Sequence, residues 1–124
     1  MQVKMSVRRF DPDVNRPESY FQEYDLLLCP TAPIPPHGHG VTELVIAGET
    51  VTPRNVGRAT IPWDITGSPA ISMPFAMSSG GLPIGLQLGA APFGEETLFR
   101  AAYSYEQATP WHTRVAPAIL NESV

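Results

Sequence analysis

A chain of 124 residues, 43% hydrophobic and 16% charged, fits one soluble domain or part of one. Its formal net charge is −4 and Arg8-Arg9 is its one adjacent basic pair, which leaves no stripe of cations for phosphates and excludes a nucleic-acid role. The single cysteine, Cys29, allows no internal disulfide, no apolar run reaches membrane-spanning length, and Met1 to Phe10 has no apolar signal-peptide core, so the expectation is a cytoplasmic protein with no membrane partner.

The 14 prolines argue against a helix bundle and for short strands, turns and extended loops. In chain order, Glu18 to Tyr24 predicts a short helix with Pro17 in its first turn and Tyr20, Phe21 and Tyr24 clustered. Leu26 to Cys29, closed by Pro30, reads as a strand buried on both faces. Residues 30–40, rich in proline and glycine, form an extended loop. Residues 41–53 read as a hairpin turning at Ala47-Gly48-Glu49, and residues 54–69 as a turn-rich stretch punctuated by Pro62, Gly67 and Pro69.

Ala70 to Phe75 predicts a strand interrupted late by Pro74, and Ser78 to Gly81 a turn. Ile84 to Gly89 alternates large and small, giving one packed face and a glycine face that another backbone could approach closely. The two strands should pair antiparallel. Residues 95–108 are the clearest helix: Leu98, Ala101, Ala102 and Tyr105 share a face, Glu95 and Glu96 suit the dipole of the first turn, and Pro110 stops it. No repeat or linker divides the chain.

Three motifs stand in order: Tyr24 to Pro33 (YDLLLCPTAP), Thr60 to Pro74 (TIPWDITGSPAISMP) and Gly81 to Gly89 (GLPIGLQLG) followed by Phe93 and the helix. This arrangement resembles the C-terminal part of the amidase-signature family, most strongly over residues 20–108, with residues 1–124 as a partial domain. The resemblance implies an α/β fold, the C-terminal segment of a mixed twisted sheet flanked by helices. It also implies hydrolysis of carbon–nitrogen amide bonds by a serine-serine-lysine set. One serine attacks the carbonyl, the second relays a proton to a neutral lysine, and backbone N–H groups hold the oxyanion.

That set belongs upstream of the family segment represented by these motifs. The only lysine is Lys4, in a polar stretch that offers no burial to lower its pKa. Ser78-Ser79-Gly80-Gly81 imitates the family's glycine-serine signature, but Met77 precedes it and it reads as a hairpin turn. No catalytic residue is therefore assigned, and the chain is expected to be inactive alone.

By the same resemblance Pro62, Trp63, Asp64 and Gly67 fall in a loop near the substrate pocket, with Asp64 where asparagine is common. Two readings stand for them: Trp63 lining an apolar acyl pocket, or a core tryptophan beside a carboxylate that caps a turn. Thr31 either faces the pocket through its hydroxyl or bonds within its loop. His37 and His39 are too few for a metal site, and Cys29 reads as a small core residue. No metal or cofactor is expected. The expected partners are a small-molecule amide in the context of an intact amidase, a second copy, or a chain carrying the N-terminal catalytic half. The alternative is a non-catalytic ligand-binding or partner-subunit module derived from an amidase.

Overall fold

The structure is a computed structural model and describes residues 5–6 and 17–114. One sheet has four strands: β1 (Met5–Ser6), β2 (Leu26–Pro30), β5 (Ala70–Met77) and β6 (Pro83–Ala90), in the order β1-β2-β6-β5. β1 runs parallel to β2, and the other neighbours are antiparallel. A hairpin, β3 (Leu44–Ile46) and β4 (Glu49–Val51), stands apart as a two-stranded sheet. The helices are α1 (Pro17–Glu23), α2 (Ile61–Thr66) and α3 (Glu95–Ala108), with 3-10 turns at Pro53–Ala59 and Trp111–Thr113. The α/β class and the mixed sheet are those the family resemblance implies. Among the described residues no helix is long and apolar enough to cross a membrane. Lys4, Arg8-Arg9 and the tail from 115 lie outside the described residues.

Register explains where proline is tolerated. Thr31 N–H donates to Gly85 O at 3.1 Å, and Ala90 N–H to Pro69 O at 3.0 Å. Odd-numbered residues of β6 therefore bond toward β2 and even-numbered ones toward β5. Pro74 sits opposite Gly85, at a position of β5 whose N–H would point away from β6. No ladder bond is lost there, so β5 runs past Pro74 to Met77 with a bulge at Phe75 instead of stopping. Pro30 likewise lies opposite Leu86 at a non-bonded position and remains inside β2 rather than ending it.

A second departure lies in the stretch 54–69, which up to Thr66 is a 3-10 segment and a short helix rather than turns alone. Pro53 and Pro62 each sit in the first turn of a helical segment, where a missing N–H removes no bond. Read as breakers, they are starters. Gly67 closes α2 in the left-handed conformation, φ 65°.

The core lies on the face of the sheet covered by α3. Leu26, Met73, Leu88, Ala90, Leu98 and Ala102 form one buried cluster, with Leu28, Ile71, Ala101 and Tyr105 packed against it. The predicted stripe of α3 is the one that faces the sheet. Tyr105 extends past the cluster, its hydroxyl donating to Pro74 O at 3.0 Å. β2 is less enclosed than a central strand: Leu26 and Leu27 are buried, Leu28 and Cys29 only half so. α1 holds its predicted aromatic group, Tyr20 stacking on Tyr24 with centroids 5.0 Å apart and meeting Phe21 edge-on at 5.2 Å. Tyr20 also reaches β2, its hydroxyl 3.3 Å from Leu26 O.

On the other face, the glycine side of β6 receives a side chain, not a second backbone as the sequence suggests. The Trp63 indole lies over Gly89 so closely that a Cβ built there would stand 2.0 Å from Cη2.

Two outcomes follow from this packing. Leu26 is fully buried, and Leu26→Ala should lower unfolding free energy by about 2–5 kcal/mol in urea titration. Gly89→Ala should cost about 1–3 kcal/mol through overpacking. In a Trp111→Phe background it should also shift Trp63 emission to the red, as the ring is pushed into water. Unchanged emission would mean that the indole does not rest on Gly89.

Candidate functional site

Three residues of β6, Gly85, Gln87 and Gly89, lie on the sheet face away from α3. Each receives something different. Over Gly89 sits Trp63. Gln87 is buried, and its amide donates to Ala59 O at 2.9 Å and to Cys29 Sγ at 3.4 Å. This ties the first 3-10 turn to the sheet. Over Gly85 sit two hydroxyls, Thr31 Oγ1 and Ser72 Oγ, 2.6 Å apart. A Cβ on residue 85 would stand 2.7 Å from the first and 2.9 Å from the second, so only glycine leaves room for the pair. Thr31 arrives from the end of β2 and Ser72 from β5, and the register of both strands against β6 brings them together across Gly85.

The hydroxyl pair opens into a cleft of about 510 Å³. Its walls come from the proline-rich loop after β2 (Ala32, Ile34, Pro35, Pro36 and His37), from Val56, and from the strands at Met73, Pro74, Pro83 and Ile84. That size is ordinary for a small-molecule site. The predominance of proline in the loop holds its wall extended with little conformational freedom to lose on binding.

Of the residues predicted from sequence, Thr31 lines this cleft. Pro62, Trp63, Asp64 and Gly67 do not. Trp63 is half-buried against Gly89, while Asp64 and Gly67 are exposed, the one in α2 and the other at its C-terminus. Thr31 bonds Ser72 rather than its own loop. Ser72 and Gly85 were not singled out by sequence reasoning. The signal for Gly85 was the period-two spacing of small residues in β6. Ser72 gave none, since its importance depends on a partner 41 residues away.

Cys29 is half-buried and beside Gln87; burial pushes its thiol up, and the bond from Gln87 only partly opposes this. Its low thiolate content makes it a poor nucleophile, as its sequence context predicts. His37 and His39 are exposed in the loop, His37 Nδ1 lying 3.1 Å from Gly38 O. Among the described residues no group of three or more His, Cys, Asp and Glu could hold a metal ion. Ser78 sits in the β5–β6 turn, its Oγ accepting from Leu82 N–H at 3.1 Å, which is the role of a turn residue.

Comparison with known proteins identifies the fold. A family model described as Amidase matches residues 4–99. One subunit of glutamyl-tRNA(Gln) amidotransferase from Geobacter metallireducens is 44% identical over 99 residues, covering 77% of this chain and 19% of that protein. The solved structure of 6-aminohexanoate cyclic dimer hydrolase superposes with a TM-score of 0.70 at 32% identity, over 82% of this chain and 23% of its own. A bacterial aryl acylamidase of the amidase-signature family gives 0.64 at 29%, over 77% and 20%. The chain thus spans about one-fifth of the length of the curated relatives it matches. With three motifs in order, a matching family model and the shared sheet, the chain belongs to the amidase family.

Proposed function

We propose that this chain is the C-terminal part of an amide hydrolase, supplying one wall of the substrate cleft while the serine-serine-lysine chemistry comes from the rest of an amidase. The observation that carries this reading is the ordered match to the family over residues 4–99, a span that includes the strands forming the cleft. The sequence supports the second half of the proposal: its one lysine is Lys4, and Ser78-Ser79 is occupied with a turn. A neutral lysine needs burial, and a serine nucleophile needs a base within hydrogen-bond reach.

The surface is consistent with a missing neighbour. Phe93 is 96% exposed, Ile65 80%, and Phe99 and Tyr103 63% each. Phe99 and Tyr103 stand four apart on α3 and form one apolar strip opposite the core stripe. Among the described residues β5 is the outer strand of the sheet, and it has no charged residue at its edge. Such surfaces are covered by a second copy or by the remainder of an amidase.

A second reading, a binding module without catalysis, is favoured by one observation: the cleft is lined by residues of this chain.

Incubation of the purified chain with anilides and primary amides, following release of aniline or ammonia, should give no rate above buffer. A saturable rate would overturn the proposal. An immunoblot of the source cells, with antibody raised to this segment, separates the two readings. A band several-fold heavier than the chain is expected for the hydrolase, whereas a band at the chain's own mass leaves the binding module.

A further inference from the structure

β5 has one strand beside it among the described residues, β6, and its other side is an open edge. The register assigns each backbone group of β5 to one side or the other. Leu86 and Leu88 bond toward β5, so Met73 and Ile71 opposite them turn their N–H and C=O inward. Ala70 and Ser72 turn theirs outward, and both residues are exposed. At Pro74 the outward series stops. The proline has no N–H to offer, its carbonyl accepts from the Tyr105 hydroxyl at 3.0 Å, and the bulge at Phe75 bends the strand beyond it. Before the proline, the edge therefore presents the N–H and C=O of Ala70 and Ser72, none of them bonded by another described residue. No charge on β5 repels a strand that would pair there.

This pattern is complementary to itself. The two outward-bonding residues stand symmetrically about Ile71. A two-fold axis normal to the sheet, passing beside Ile71, sets a second β5 antiparallel to the first. Ala70 then lies opposite Ser72 of the second copy, and Ser72 opposite its Ala70. Each such pair exchanges both of its backbone bonds, so every outward N–H and C=O of this segment is engaged in both copies. The two Ile71 residues form the non-bonded pair between them, Cα atoms about 4.5 Å apart. A long strand from another molecule fits less well, because Pro74 and the Tyr105 hydroxyl close the edge just past Ser72. We propose that two copies of this chain associate through Ala70–Ser72 of β5, joining their sheets edge to edge. The axis keeps both clefts on one face of the joined sheet and both α3 helices on the other. Ser72 lines the cleft of its own chain, so the junction runs beside both clefts. This goes beyond the amide-hydrolase reading and does not depend on it.

The test uses the intact chain, with no catalysis required. Sedimentation equilibrium from micromolar to millimolar concentration should show a monomer–dimer equilibrium. Ala70 is exposed, so Ala70→Lys sets a cation on the edge without disturbing the core, and it should raise the dissociation constant on the order of tenfold. Cross-linking reads the register. In a Cys29→Ala background, Ile71→Cys should form a disulfide-linked dimer under mild oxidation, because the spacing across the axis falls within the roughly 4.4–6.8 Å that a disulfide spans. Ser79→Cys, in the exposed β5–β6 turn, should cross-link far more slowly under the same conditions. If Ile71→Cys fails to fold, the sedimentation of Ala70→Lys against the unaltered chain still decides. The proposal is overturned by a monomer at every concentration, by a dimer indifferent to Ala70→Lys, or by cross-linking through the turn as fast as through position 71. Failure of the hydrolase reading would show itself differently, in the amide-release assay and the immunoblot, whatever the chain's assembly.

Discussion

The absence of side chains at two positions of β6 organises the face of the sheet away from α3. Gly89 lets the Trp63 ring rest on backbone, and Gly85 lets two hydroxyls from separate strands meet over it. Between them Gln87 uses its amide to hold Ala59 O and to face Cys29. A strand with side chains of ordinary size at 85 and 89 would push away α2 at one end and the Thr31–Ser72 pair at the other. The strip is thus small, polar, small, and each element has a specific seat.

The opposite face of the same strand obeys different physics. Leu88 and Ala90 pack into the cluster with Leu26, Met73, Leu98 and Ala102, where the driving force is removal of apolar area from water. Period two in β6 therefore separates two jobs: one face is stabilised by burial, the other positions polar groups and an indole. Both depend on one register. A slip of a single residue would bring Gly85, Gln87 and Gly89 under α3 and expose the leucines. The two faces reinforce the same pairing.

Much of this was legible in the sequence because it is local. α3 follows from its spacing and acidic first turn, the β5–β6 hairpin from its turn residues, and the loop after β2 from its prolines. What was not legible depends on geometry across strands. Pro74 looked like an interruption because its bonding direction is set by the β6 register, which sequence spacing does not reveal. Pro53 and Pro62 looked like breaks, since proline marks helix starts and stops alike and only the following φ/ψ angles distinguish them. Thr31, singled out through its motif, lines the cleft. Ser72 was not singled out, because its role is created by a 2.6 Å contact across 41 residues of chain. Trp63 was caught between two readings that differ only in where the ring points; the structure points it at Gly89.

The same geometry bears on why such a segment has a defined shape and an incomplete surface. α3 shields one face of the sheet, and short helical turns cover part of the other. β5 still presents Ala70 and Ser72 outward with no further strand beside them among the described residues. Pro74 partly answers this exposure: it offers the edge no donor, and its carbonyl is already engaged by Tyr105. Beyond that the edge is uncharged, and Phe99 and Tyr103 add an apolar strip on the far side of α3. Pro74 and the bulge beside it are features of an edge strand, and β5 carries both without a charge. The cleft is set by three strands whose register is fixed within the chain, whereas the edge of β5 and the apolar strip of α3 stand uncovered among the described residues.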